Sequence, residues 1–261
     1  MDFLVVAGPH DRLASELVEL AGEHGIVAKQ VDVATAARIF TVEFDGEHAR
    51  TYPEVPMLVR VPPPPVLRSS FEESFAHVEC LAALWAAAAL SGAPVLNRPG
   101  PNGMAGRWSF SGHLNERRAA KFAPQQEVFA DELPSPPHSA EPGKAWYVQD
   151  ALTFQTWRWP EVPGNGPYRA RWGPEKPAYE FVVVLQGDAW RCTLYDLDKL
   201  ELEINSIDLV RALGLDFGVV SWSIAADLSS AVAVRVDAYP IMDQVQYVWP
   251  ALGPKLLEVL R

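Results

Sequence analysis

Cysteine is nearly missing from this chain: two of 261 residues, Cys80 and Cys192, far apart and each among apolar neighbours. That excludes a disulfide framework and offers no zinc-ligand spacing. Both read as buried thiols, and a cytoplasmic location is expected. Basic residues are short as well. Lys and Arg total 22 against 33 Asp and Glu, a net charge of −11. A broad basic surface for nucleic acid is excluded, although single arginines can still build a local anion site. The opening MDFLVVAGPHDRL has no basic stretch and no cleavage pattern, so no signal peptide is expected. No apolar run reaches the length of a bilayer span. Leu81 to Pro94 reads as a core helix and its exit, and no membrane partner is expected. The phosphate loop, G-x-G-x-x-G, G-x-S-x-G and H-E-x-x-H are all missing.

What is present is apolar. Hydrophobic residues make up 49% of the chain, enough for one large α/β domain or two small ones. Phe3 to Ala7 reads as a buried strand that turns at Gly8-Pro9. Leu13, Leu17, Val18 and Leu20 follow at helical spacing, and Ile26 to Val33 is the next strand. This β-α-β start points to an open parallel sheet. His10, in the loop between, is a weak ligand candidate. Phe40 to Phe44 and His48 to Tyr52 flank Asp45-Gly46 as a hairpin. Met57 to Val61 is a strand ended by four prolines, Pro62 to Pro65, a stiff connector or a polyproline ligand. Ser70 with Glu73 forms a capping box for a helix to about Leu90, apolar nearly all round, with Trp85 expected as its core anchor. Pro94 to Leu96 is a short strand before the Asn97-Arg98-Pro99-Gly100 loop.

From Pro101 to Pro177 proline and glycine are dense and five tryptophans are scattered. A helix is expected near Asn115 to Phe122, with His113, Arg117 and Arg118 as a possible anion-binding start. Short strands are expected at Ala145 to Gln149 and Thr153 to Trp159, and a long loop from Pro160 to Pro177. Arg169 and Arg171 with nearby aromatics are a candidate ligand surface, or a packed subdomain with solvated arginines. Tyr179 to Leu185 and Trp190 to Tyr195 pair around Gly187-Asp188. Ser206 is expected to cap a helix ending at Gly214. A second, buried hairpin follows, Asp216 to Ile224 and Ala231 to Val236, with Asp227, Ser229 and Ser230 in its turn. A terminal helix is expected to break at Pro250 and restart with Pro254 in its first turn. His77 and Glu79 point to different helix faces and are no metal pair.

Four stretches in order, LWAAAALSGAPVLNRPG, AYEFVVVLQGDAWRCT, LGLDFGVVSWSI and AVAVRVDAYP, resemble the ATP-grasp superfamily of ATP-dependent carboxylate–amine ligases. The similarity is to the short enzymes that tail proteins with glutamate or cross-link ribosomal peptides. It implies an α/β protein: a pre-ATP-grasp open-sheet domain from Met1 to about Gly100, then a reduced ATP-grasp-like α+β core to Arg261. It implies ATP and Mg²⁺ as cofactors and a small-molecule or peptide ligand. A partner protein or homo-oligomer stays open.

The family's metal strands supply an acidic residue on the first and an acidic residue plus Asn on the second, because negative charge builds up during phosphoryl transfer. Laid on this chain, those positions fall on Ser221, Arg235 and Asp237. Asp237 would bind the metal. Glu180, Lys144 and Asp216 are the expected nucleotide contacts, Lys144 out of its usual place, and Glu180 lacks the Arg that usually follows. Arg235 or Arg169 would hold the acyl phosphate or a substrate carboxylate, with Trp172 and Trp190 rimming the cleft. Three readings stand: a degenerate protein that binds a nucleotide, anionic metabolite or peptide without ligating, with Arg235 in place of a metal; an active divergent ligase that finds its ligands among Glu180, Asp216, Asp227 and Asp237; and an unrelated α/β scaffold. Arg235 paired with Asp237 on one strand face fits all three.

Overall fold

All four side chains of Phe3–Val6 (β1) are buried, as expected for a parallel strand covered on both faces. In the computed structural model, which describes residues 1–60, 70–100, 127–136, 144–150, 156–163, 166–175, 178–192, 200–225 and 227–261, β1 pairs in parallel with Ala28–Val31 (β2) and Met57–Val59 (β5). Val95–Leu96 (β6) extends the sheet in the order β2-β1-β5-β6. Alternation along β1 sends Phe3 and Val5 to one face and Leu4 and Val6 to the other. The first face packs on Arg12–Glu23 (α1), the second on Val33–Ile39 (α2) and Phe71–Leu90 (α3). The Ser70–Glu73 capping box forms at the start of α3. Thr41–Phe44 (β3) and Ala49–Tyr52 (β4) make the Asp45-Gly46 hairpin, with the Asp45 carboxylate accepting the Glu47 and His48 N–H groups.

The second half adds two antiparallel sheets. Glu127–Ala130 (β7), Lys144–Asp150 (β8), Thr156–Arg158 (β9) and Tyr168–Pro174 (β10) run in the order β7-β10-β8-β9 around a small core of Trp146, Val148, Tyr168 and Ala170. Ala178–Leu185 (β11), Asp188–Arg191 (β12), Phe217–Ile224 (β13) and Ala231–Asp237 (β14) run β12-β11-β13-β14. Leu202–Ala212 (α4) covers one face of this last sheet, meeting Val182, Val184, Val220 and Trp222. On the other face Val183, Leu185, Phe217 and Val219 share a core with Phe3, Val5 and α1, closed by Met242–Val245 (α5) and Trp249–Val259 (α6). The chain is thus an α/β open sheet followed by an α+β core.

Several local expectations change. The strand expected from Ile26 to Val33 spans only Ala28–Val31, and Val33 opens the helix Val33–Ile39; Asp32 caps it by accepting the Thr35 N–H at 2.7 Å. The expected loop from 160 to 177 contains β10, the strand that pairs with both β7 and β8. Ser206 is no cap. It lies inside α4, fully buried, and accepts the Trp222 Nε1–H at 2.9 Å. Pro250, not Pro254, sits in the first turn of the last helix, and Pro254 lies within it. Trp85 is no core anchor: it is 39% exposed and donates to the Gly100 carbonyl. Only Leu84, Ala87 and Ala88 of α3 are buried, and by length and composition the helix is apolar enough to cross a membrane. The prolines 62–65, the expected helix at 115–122, His113 and most of Trp190 to Tyr195 beyond Cys192 lie outside the described residues.

Asn97 fastens the two halves. It is 1% exposed and left-handed (φ 54°), a conformation asparagine tolerates better than most residues. Its Oδ1 accepts the N–H groups of Asp216 (2.9 Å) and Phe217 (2.8 Å). Its Nδ2 donates to the carbonyls of Phe217 (2.7 Å) and Ala238 (3.1 Å), and its own N–H donates to Asp216 Oδ2. Truncation orphans several buried groups at about 1–3 kcal/mol each. Asn97→Ala is expected to lower the unfolding free energy by about 4 kcal/mol in a urea titration. Asn97→Asp should do no better, because it turns an oxygen toward two carbonyls. A loss under about 1 kcal/mol in both variants would show that the halves hold without this contact.

Candidate functional site

The carboxyl ends of β1, β5 and β6 face the start of β13 and the exit of β14. In the order β2-β1-β5-β6 the chain leaves β1 for one side and returns on the other, so a crevice opens between β1 and β5, the usual ligand position in open α/β sheets. Arg60 stands there, one residue past β5 and 4% exposed. Its Nε donates to Asp11 Oδ2 at 2.7 Å, and Asp11 in turn caps α1 through Oδ1. Its Nη2 donates to the Pro240 carbonyl at 2.8 Å, just beyond β14. Its Nη1 is buried without a hydrogen-bond partner. A buried guanidinium N–H left unpaired is costly and calls for an acceptor.

Arg235 and Asp237 complete this corner. Pairing sets Phe181, Ser221 and Arg235 in one row and Val183, Val219 and Asp237 in the next row of the same face. A β-bulge at Ser221/Trp222 falls beside Arg235, the kind of irregularity that re-aims a side chain. Arg235 Nη2 donates to Asp237 Oδ2 at 2.8 Å. The Tyr239 N–H donates to Oδ1 at 3.0 Å, and Gln244 Nε2 reaches Oδ2 at 3.5 Å. Tyr239 itself is pushed up to about 12 by burial, with the Arg60 charge pulling against that and Asp237 adding to it. The Asp237 side chain is 13% exposed and that of Arg235 48%. A pair open on one side contributes at most about 1 kcal/mol, so Arg235 can exchange this partner for a ligand at small cost.

The other candidates lie apart. Glu180 is fully buried on β11 and pairs with Trp222, one step from the Ser221 row. Its Oε1 accepts the Cys192 N–H at 3.1 Å. Burial, helped by this carboxylate, pushes the Cys192 thiol up to about 12. Asp216 is engaged with Asn97. Asp227 is in the β13–β14 turn, where the Ser229 hydroxyl and N–H hold its carboxyl below the usual range. Lys144 and Arg169 belong to the β7-β10-β8-β9 sheet, Lys144 at the exposed start of β8 and Arg169 with its guanidinium 5.7 Å over the Phe129 ring. Trp172 packs edge-on against Trp146, centroids 5.1 Å apart. Trp190 shares the Asp237 row but on β12, three strand spacings or ~14 Å away. It lines an open depression of about 500 Å³ with Arg191, Glu203 and Tyr247. His10 is exposed. The structure therefore gathers Ser221, Arg235 and Asp237 with Arg60, Asp11, Tyr239 and Gln244. Sequence reasoning passed over Arg60, whose signal was an arginine ending an otherwise apolar strand.

Mg²⁺ takes six oxygen ligands at short distance, with carboxylates supplying the charge. Here Asp237 is the one carboxylate in the row, and a guanidinium holds it. Among the described residues no three His, Cys, Asp or Glu side chains converge. This corner does not fit a pair of divalent cations; two arginines make it fit an anion.

No family model and no curated protein matches the chain. Solved structures do. The ATP-grasp ligase PsnB, complexed with a phosphomimetic variant of its minimal precursor, Mg and ADP, superposes over 100% of this chain and 99% of its own, at TM-score 0.67 and 12% identity. The macrocyclase MdnC of Microcystis aeruginosa MRC, bound with precursor peptide MdnA, matches over 99% and 100% at TM-score 0.61 and 12% identity. A RimK domain ATP-grasp protein from Sphaerobacter thermophilus matches over 99% and 96% at TM-score 0.52 and 14% identity. From the first strand to the last helix, the chain has the ATP-grasp fold.

Proposed function

We propose that this protein is a degenerate ATP-grasp protein that binds a nucleotide or another phosphate- or carboxylate-bearing ligand, and a peptide beside it, with Arg235 standing where the fold ordinarily places a metal ligand. The observation that carries this is the 2.8 Å Arg235–Asp237 bond beside Ser221. A fixed guanidinium neutralises phosphate charge directly and binds it bidentately. Arg60, with its free Nη1, supplies a second buried donor on the sheet side of the same corner. Support for a nucleotide and a peptide comes from the neighbours, which were solved with ADP, Mg and precursor peptides. The two unpaired thiols suit a reducing compartment, and we place the protein in the cytoplasm.

ATP is expected to stabilise the protein against heat without Mg²⁺, because the arginine already supplies the charge. At a hundred times its Kd a ligand adds about 2.7 kcal/mol, an easily measured shift. Arg235→Ala should remove the shift while leaving the unliganded melting temperature nearly unchanged, since the arginine is half exposed and Asp237 keeps two other donors. A shift that appears only with Mg²⁺ would replace this reading with that of an active ligase. No shift with either would leave a fold without its nucleotide.

The converse experiment restores the carboxylates. Ser221→Asp with Arg235→Glu and Asp237→Asn recreates the acidic pattern on β13 and β14. Calorimetric titration with ATP should then show binding that depends on Mg²⁺ and is weak without it. Unchanged Mg²⁺-independent binding in the triple variant would mean that the nucleotide sits elsewhere.

A further inference from the structure

The last sheet has an open edge at β12, and a trough runs beside it. β12 pairs with β11 alone and ends the order β12-β11-β13-β14. Just past it the Cys192 N–H donates to the Phe181 carbonyl at 2.9 Å, which sets the alternation of the ladder. Asp188 and Trp190 therefore bond to β11, while Ala189 and Arg191 turn their N–H and C=O groups outward. Those of Ala189 meet no donor or acceptor among the described residues. Proteins guard such edges with proline, bulges or charge. The opposite edge, β14, has a bulge and carries Arg235. β12 reads DAWR in unbroken register, and its two charges are drawn aside, Asp188 toward Lys255 (3.6 Å) and Arg191 toward Glu203 (2.7 Å). We propose that β12 is a docking edge for an extended peptide of alternating apolar and basic residues, which joins the sheet as a fifth strand.

The trough selects this occupant. It is open and has a volume of about 500 Å³. A small molecule is held by enclosure on most sides, whereas an extended chain needs an edge and two rims. Main-chain hydrogen bonds then supply affinity, and alternate side chains supply specificity. The two rims differ. On the face of Trp190, the α5–α6 junction brings up Tyr247, Pro250 and Ala251, all uncharged, with Tyr247 75% exposed. On the face of Ala189, the wall is Glu203 at the start of α4, with Glu201 exposed two residues earlier. A strand laid between them sends every second side chain to an apolar rim and the others to an acidic one. In a chain of net charge −11, that second set is basic. A second copy is a poorer occupant, because it brings the same acidic rim and the same net charge. Trp190 stands ~14 Å from Asp237 across the sheet, so the docking edge holds whether or not the anion corner takes a nucleotide.

Fluorescence anisotropy of a short labelled peptide of alternating valine and lysine, titrated with the full chain, tests this. Saturable binding is expected with a Kd below about 1 mM, and glutamate in place of lysine should weaken it at least about tenfold. Ala189→Pro removes an outward N–H that no described residue uses, and an edge strand accepts proline there. The melting temperature should hold while affinity falls about tenfold or more. Tyr247→Ser, at an exposed position, should weaken the peptide with the fold intact. Of two peptides N-methylated at alternate residues, one should bind and the other fail, because an added strand bonds through one of its two edges. No binding at about 1 mM overturns the proposal, as does binding indifferent to Ala189→Pro and Tyr247→Ser, or equal binding of both methylated peptides. A dimer in sedimentation velocity that Ala189→Pro dissolves would assign the edge to a second copy and overturn it too.

Discussion

One buried amide holds this fold in the shape its site needs. Asn97 ends the parallel sheet of the first half, and its side chain satisfies the backbone where β13 begins and β14 leaves. Those two strands carry Ser221, Arg235 and Asp237 on one face in adjacent rows. The amide is matched donor for acceptor, so it fixes distance and register at once, where apolar contact would tolerate sliding. Arg60 repeats the device one strand over, bonding Asp11 on α1 and the Pro240 carbonyl. The apolar core that runs from β1 through β13 to the last helix supplies the adhesion. The two polar contacts decide where it sticks.

That rigidity explains what a single charge change does at the corner. With carboxylates at positions 221 and 235, the pair would repel itself and require cations. With Ser221 neutral and Arg235 positive, the charge balances internally through one ion pair of modest strength. The pair is poised because it is weak: Asp237 keeps two further donors, the Tyr239 N–H and Gln244, when the guanidinium turns away. Arg60 cannot turn, being 4% exposed and bonded on two sides. One mobile and one fixed guanidinium suit an anion that must enter and leave.

How much of this was legible in the sequence depends on the range of the interaction. The capping box at Ser70, the Asp45 hairpin and the buried strand at Phe3 are written in neighbouring residues, and they formed as expected. The four short matches in order pointed to the fold. Val33–Ile39 was missed because seven residues with three β-branched positions carry little helical signal. The strand Tyr168–Pro174 hid among prolines and glycines, although apolar and basic residues alternate along it. Ser206 was misread because a local rule favours serine at helix starts, while its partner Trp222 lies sixteen residues on. Asn97 and Arg60 act on groups about 120 and 180 residues away, and no local pattern announces such partners.

The helix α3 was misread for an instructive reason. A sequence apolar nearly all round says only that both faces avoid water; it does not say what covers each. The parallel sheet takes one face through α2, β1 and Leu84. The site corner lies across that sheet, among α1, the last two helices and β14. The exposed side of the helix, with Phe71 and Phe75, therefore points away from Arg235 and Asp237. The exposed face of that helix and the corner of Arg60 and Asp237 thus lie on opposite sides of the parallel sheet.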